Sequence, residues 1–304
     1  MSCPDCYKGS ILEGEPVGTF TSIDGAYMSA GSNKESERAV ILLTDIFGLP
    51  LKNSKLIADS LAKRLECDVW VPDQFAGNPP FAVEKLQNKM PERAGEDFGL
   101  FAKIKFFLTV LPTLPKLLKS RPATVDARMK SFFDKLKAEK PHYKRIGAVG
   151  HCFGGSTAVR LGGTDYVHSI VVCHPGGFSD EELKAIKVPC SWTLMVLWRM
   201  ADDFTFPPPK REKAEAEFAK RKDHQYEFKV YKGTAHGFAC RPNMTYPDVK
   251  EGFEGAMEQI VAWFDKTLGS VPAGTKAAPP PVAETAPKSE ATEAAAAAVP
   301  VASA

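Results

Sequence analysis

The chain has 304 residues and lacks any apolar stretch of about 18, the length that a membrane-spanning helix needs. Its most apolar candidate, Phe106-Phe107-Leu108-Thr109-Val110-Leu111, runs into Pro112 and Pro115 and is too short. The chain also lacks a charge imbalance. A formal net charge of +2 gives no bulk attraction for nucleic acid or for a membrane surface, so neither is expected as a partner. The opening Met1-Ser2-Cys3-Pro4-Asp5-Cys6 is polar and has no apolar segment of the kind a secretory leader carries, which predicts a cytoplasmic protein. Cysteines are few, scattered and odd in number, 7 in all, and read as reduced thiols. Cys3 and Cys6 stand at the spacing of half a zinc site, but no second Cys/His pair matches it, so no metal is expected. Redox work by that pair would want a βαβ setting, which the terminus lacks, so both read as structural or incidental thiols. Aromatic residues are missing altogether from 271–304, a tail of mostly Ala, Pro, Thr, Glu, Lys, Val and Ser. Such a segment cannot bury enough apolar surface to offset its ordering entropy. The expected division is one folded domain over 1–269 and a disordered tail over 270–304.

Within the first 269 residues, strand-like and helix-like segments alternate. Residues 39–44 form a continuous apolar run, as in a strand buried on both faces. Ile57, Leu61 and Leu65 then recur at helical spacing. A short strand at 69–71 is stopped by Pro72. Val125, Met129, Phe132, Phe133 and Leu136 mark one helix face. Strands are predicted at 146–149, 167–173, 192–197 and 226–231, the last with one wetter face. Helices are predicted at 156–159, 181–186, 210–221 and 249–268, and Ser179 with Glu182 has the spacing of a capping box. Asp24-Gly25 predicts a hairpin turn between two short antiparallel strands. Repeated βα units argue an α/β fold, a mostly parallel central sheet flanked by helices on both faces. Residues 82–121 break the rhythm. They read either as an insertion over one end of the sheet or as an ordinary helical crossover with irregular ends.

One turn carries most of the chemistry. Gly150-His151-Cys152-Phe153-Gly154 runs from a predicted strand into a predicted helix, with Gly155 following. Gly-x-Cys-x-Gly in that setting is the nucleophile-elbow pattern, with cysteine in the usual serine position. A turn this tight strains the nucleophile's backbone and leaves no room for Cβ atoms beside it. It exposes the sulfur, aims the Phe153 N–H at a developing oxyanion, and puts a helix N-terminus next to the thiolate.

In this fold the acid and the histidine follow the nucleophile in chain order. His236 lies just after the 226–231 strand, in Gly233-Thr234-Ala235-His236-Gly237-Phe238, and fits the base best of the 6 histidines. Asp202 and Asp203 follow the 192–197 strand, and either could orient the imidazole. His174, after the 167–173 strand, reads as a satisfied structural histidine near the same edge. Asp45 ends the first long strand. It either hydrogen-bonds the thiol or caps the loop that follows, and the Ile46 N–H beside it is the candidate second oxyanion donor.

Taken together these residues resemble the dienelactone hydrolase family. The matching stretches are Asp45-Ile46-Phe47-Gly48, Pro72-Asp73-Gln74-Phe75-Ala76-Gly77, Gly150 to Gly155, Asp203-Phe204-Thr205-Phe206-Pro207, and His236-Gly237-Phe238-Ala239. Cys3-Pro4-Asp5-Cys6 with Gly9 and Gly14 looks like the fungal-type branch, and the likeness covers roughly 3 to 268. The resemblance implies a single-domain α/β-hydrolase with a Cys-Asp-His triad. Its Asp-x-x-x-Pro context favours Asp203 as the acid. It makes Asp45, in place of the family's frequent glutamate, the carboxylate that holds the resting thiol. It makes Arg241, one place later than usual because Cys240 intervenes, the arginine that binds a substrate carboxylate, with Arg93 a candidate for a second.

The activity expected is hydrolysis of an ester or lactone through a thioester, in aromatic catabolism or in secondary metabolism. The partner is then a small-molecule ester or lactone. No cofactor is required, and the chain is a monomer or small homo-oligomer. The competing use of the same residues is a non-catalytic member of the fold that binds a small molecule. An intact elbow, acid and histidine weigh against it.

Overall fold

The computed structural model describes residues 11–82, 108, 111–195, 206, 208–222 and 224–269. Its strands are β1 Thr19–Phe20, β2 Tyr27–Ser29, β3 Arg38–Leu43, β4 Asp68–Val71, β5 Arg145–His151, β6 Ser169–Cys173, β7 Cys190–Met195 and β8 Tyr226–Tyr231. They form an 8-stranded sheet in the order β1-β2-β4-β3-β5-β6-β7-β8. The pairs from β4 to β8 are parallel, and β1 and β2 add an antiparallel edge. At that edge the expected hairpin is present. Asp24 and Gly25 take the positive φ values of 50° and 67° that such a turn demands.

The helices are α1 Lys52–Leu65, α2 Leu114–Lys119, α3 Pro122–Glu139, α4 Phe153–Leu161, α5 Asp180–Ala185, α6 Pro208–Ala219 and α7 Pro247–Leu268. The α/β-hydrolase architecture read from the sequence is therefore what the chain adopts. The apolar strands split their side chains between two cores, because successive residues of a strand point to opposite faces. Ala39, Ile41 and Leu43 meet Ala148, Val172 and Trp192 under α3 to α6. Val40 and Leu42 meet Val149 and Val171 under α1 and α7. The long closing helix presents Val249, Ala256, Met257, Ile260, Trp263, Phe264 and Leu268 as one buried stripe. Burying each large side chain of this kind contributes roughly 1.5–3 kcal/mol. The α5 capping box forms as its spacing predicts, with Ser179 Oγ accepting from the Glu182 N–H and Glu182 returning the bond.

Some expectations shift or fall elsewhere. The β5 strand is longer than predicted and carries through His151 to the residue before the elbow. Strand β6 begins at Ser169 rather than 167, and β7 begins at Cys190 rather than 192. Most of the irregular segment 82–121, the tail, Cys3 and Cys6 lie outside the described residues. Of that segment, α2 seats Leu117 against Phe47, Leu51 and Phe81.

Leu42 is fully buried in the middle of the central strand. Replacing it with alanine should destabilise the fold by about 3 kcal/mol, within the usual range for a buried leucine. Urea unfolding should show a lower midpoint with an unchanged slope.

Candidate active site

The parallel register brings the chemistry to one edge. Leu43 lies beside Gly150, His151 beside Cys173, and Cys173 beside Thr193. The next residues along the chain, Asp45, Cys152 and His174, therefore emerge together at the carboxyl ends of the strands. This is where open α/β sheets place their ligands.

Cys152 caps α4 with φ 52° and ψ −111°, a strained backbone for a residue with a Cβ. Close packing enforces it. A Cβ on Gly150 would lie 2.0 Å from the Gly154 carbonyl oxygen, and one on Gly154 would lie 2.2 Å from the Leu43 carbonyl oxygen. The Cys152 N–H donates to the Cys173 oxygen at 3.1 Å, and the Cys152 oxygen accepts from the Ser156 and Gly176 amides at 3.2 and 2.9 Å. The thiol is half-buried and free. Phe153 opens α4, so its N–H belongs to the first turn, which has no intrahelical acceptor. Its ring packs on Phe75 with centroids 5.0 Å apart.

Asp45 is almost wholly buried, and its carboxylate is shared. Oδ1 accepts from the Phe47 N–H at 3.1 Å, which folds the loop so that Ile46 sits between them. Oδ2 accepts from Arg241 Nε at 2.9 Å and from the Cys240 thiol at 3.6 Å. Asp45 is thus both loop cap and ion-pair partner. Burial alone would lower the Arg241 pKa, but the charge of Asp45 and its hydrogen bond raise it and keep the guanidinium charged. The Cys240 thiol is pushed well above its ordinary range, first by burial and then by Asp45, so it stays protonated. The Cys152 thiol also bears on the charges of both Arg241 and Cys240. The extra residue before Arg241 does not carry it away from the site. The Cys240 and Arg241 amides both bond the Gly237 oxygen, at 3.0 and 2.7 Å, in a tight turn. Gly237, at φ 95°, leaves the space the guanidinium fills, since a Cβ there would lie 2.6 Å from Arg241 Nη2. Arg241 also sits over the Phe47 ring, 4.9 Å from its centroid.

Two buried amides hold these loops, and neither stood out in the sequence. Asn53 of α1 donates to the Cys240 oxygen at 2.9 Å and accepts from the Leu12 N–H at 3.0 Å. Gln74 donates to the Thr44 oxygen at 3.1 Å, beside Asp45. A polar residue at a buried helical position is the only sequence signal for Asn53. Gln74 stood inside a matching stretch, though without a role.

His236 is half-buried in the loop after β8, with its ring 5.1 Å from that of His174. His174 is buried, and its ring nitrogens find no hydrogen-bond partner on another described residue; the same holds for His151. Burial holds the His174 pKa well below its ordinary value and brings that of His151 down to about 4. Asp202, Asp203 and Arg93 lie outside the described residues.

Two buried neutral histidines make stability depend on pH. In the unfolded chain each takes up a proton near pH 6.5, whereas native His151 resists until about 4. Their contribution is complete above pH 6.5 and is lost as pH falls from 6.5 towards 4, by roughly 1 kcal/mol or more per pH unit for each histidine. Urea midpoints measured from pH 7 to 4.5 should fall steeply, and His151→Leu should flatten the fall.

Comparison with known proteins identifies the family. The model of the dienelactone hydrolase family matches residues 25–268. The chain is 31% identical to Hydrolase tropI of Talaromyces stipitatus, over 88% of this chain and 96% of that protein. It is also 31% identical to Hydrolase pyvD of Aspergillus violaceofuscus, over 86% and 96%. The carboxymethylenebutenolidase homolog of Mus musculus is 27% identical, over 87% of this chain and 96% of that one. Among solved structures, one from Klebsiella pneumoniae described as a dienelactone hydrolase superposes with a TM-score of 0.55 at 15% identity, covering 79% of this chain and 92% of the other. With a family model spanning the sheet from the β1–β2 turn to the end of α7, the chain belongs to the dienelactone hydrolase family.

Proposed function

We propose that this protein hydrolyses an ester or lactone through a thioester formed on Cys152, with His236 as the base and Asp203 as the acid behind it. The observation that carries the reading is Cys152 itself. A free, half-buried thiol is held at φ 52° on the first turn of a helix, at the strand ends where the other candidate groups gather. A structural cysteine needs no such strain.

In the proposed reaction His236 takes the thiol proton and the thiolate attacks the substrate carbonyl carbon. The Phe153 and Ile46 N–H groups receive the negative charge that develops on the carbonyl oxygen. Collapse breaks the ester C–O bond, and His236 returns its proton to the departing alkoxide. Water, activated by the same imidazole, then cleaves the thioester and releases the acid. Opening a lactone leaves alkoxide and acyl group in one molecule.

The Asp45–Arg241 pair suits a substrate with a carboxylate. Arg241 holds its charge in a buried place, and its partner is a carboxylate that an incoming one could replace. Asp45, released, is then the carboxylate that holds the thiol until His236 takes its proton. The small-molecule hydrolases among the relatives support the class of reaction, and the carboxylated lactone is the finer reading.

The test is hydrolysis of p-nitrophenyl acetate and of paired lactones with and without a free carboxylate. Cys152→Ala should lower kcat by roughly 10^4-fold, as the loss of a triad member does. Arg241→Met should raise KM for the carboxylated lactone and leave the neutral one nearly unchanged. Full activity in Cys152→Ala would refute the mechanism.

A further inference from the structure

The reaction above uses one of three histidines gathered at the strand ends, and the other two have no role in it. His151 and His174 are fully buried with ring centroids 5.9 Å apart. Their four ring nitrogens find no hydrogen-bond partner on another described residue, which costs stability that an apolar side chain of similar size would not cost. His174 carries a second cost. Its φ is 34°, in the region that glycine and asparagine tolerate best.

The strain at His174 is imposed from both sides. Its N–H donates to the Thr193 oxygen at 2.9 Å, and two residues on the Gly176 N–H donates to the Cys152 oxygen at 2.9 Å. Between these anchors, Pro175 lies where a Cβ on Gly155 would approach it to 2.9 Å. What the turn accomplishes is the placement of the His174 ring. It meets the His236 ring in a T-shaped contact, at 62° and 5.1 Å between centroids, with Phe238 at 5.6 Å and His151 at 5.9 Å. A buried polar ring in a strained turn, against the proposed base, is the kind of local cost that persists where function requires it.

We propose that His174 is a positioning residue for His236, fixing the plane of that ring and favouring its cationic form during turnover. The inference rests on His236 being the base. When His236 holds the thiol proton it is an imidazolium. A neutral imidazole against it offers either a nitrogen lone pair or an electron-rich face, and a saturated side chain offers neither. His174 must stay neutral to do this, and its surroundings keep it so. Burial is the largest influence against a proton on His174, followed by His236, His151 and Arg241, and together they outweigh a bond to its own backbone that favours one. The adjacent Cys173 thiol, pushed up to about 12 by burial, brings no charge.

The test uses the full chain with His174→Leu, which removes the ring at similar volume, and His174→Phe, which keeps a ring. Two readouts are taken. One is kcat and KM for p-nitrophenyl acetate. The other is the pH dependence of Cys152 alkylation by iodoacetamide, followed at the Cys152 peptide by mass spectrometry, which needs no turnover. In the leucine variant kcat should fall at least about tenfold with KM unchanged, as loss of ring alignment predicts. The alkylation midpoint should rise by about half a pH unit, because a weaker imidazolium supports the thiolate less well. The phenylalanine variant should recover most of kcat. A folded His174→Leu protein with wild-type kcat and midpoint would overturn the proposal, as would equal impairment of both variants. If the leucine variant does not fold, His174→Gln, polar but without a ring, replaces it with the same loss expected and the same overturning result. His236→Ala separates the two levels. If it leaves Cys152 alkylation unchanged, the Cys–His pairing itself is wrong; if it shifts alkylation while His174→Leu does not, only the present inference falls.

Discussion

The site depends first on how closely α4 approaches β3. Helix and strand pack with Gly154 against the carbonyl of Leu43, and Gly150 against the carbonyl of Gly154, at distances no Cβ could share. Because the helix starts so near the sheet, the chain must reverse within one residue, and that residue is Cys152 at φ 52°. The same approach aligns the first turn of α4 with the loop that leaves β3, so the amides of Phe153 and Ile46 come from the two sides of one contact. A methyl group at either glycine would push the layers apart and remove the turn, the sulfur position and the proposed oxyanion donors at once. The two cores hold this geometry by packing α3 to α6 on one face and α1 with α7 on the other.

Against that frame the buried ion pair is a weaker element by design of its surroundings. Desolvating two charges costs nearly as much as their attraction returns, so a buried pair is poor evidence for stability. Asp45 and Arg241 instead persist through accessory bonds: the Phe47 amide, the Cys240 thiol and the Phe47 ring on which the guanidinium rests. Their loops are fixed at a distance by Asn53 and Gln74. A pair with a small net stability, held in rigid loops, can exchange one carboxylate for another without disturbing the fold. That property matches the proposed use of Arg241 better than a role as a structural clamp.

How far all this was legible in the sequence follows from the range of each interaction. The strand at β3 was readable because burial on both faces leaves a continuous apolar run, and the Asp24-Gly25 hairpin because local backbone sterics choose the residues. The elbow was readable because close packing allows only glycine. The partners of Asp45 were not. Arg241 is 196 positions away, and nothing local to either residue encodes the pairing. Cys240 looked like an insertion that displaces Arg241, whereas the turn through the Gly237 oxygen absorbs it. His174 read as an ordinary buried histidine because sequence carries no sign of whether a ring nitrogen will find a partner. Its contact with His236 and its φ are tertiary facts.

Local costs are not spread evenly over the molecule. Among the described residues, besides the turn residues Asp24 and Glu66, those other than glycine at positive φ are Ala76, Cys152 and His174. The first follows Gln74 and Phe75 in the loop that braces Asp45 and Phe153, and the other two end neighbouring strands. The rings of His151 and His174, with no hydrogen bond to another described residue, lie at the same edge. Selection for stability alone would remove them, since apolar or glycine replacements are available at several of these positions. Two strained turns, at Cys152 itself and at His174, meet at one edge of the sheet, which suits the catalytic end proposed above and argues that the histidines behind His236 are retained for what they do to that ring.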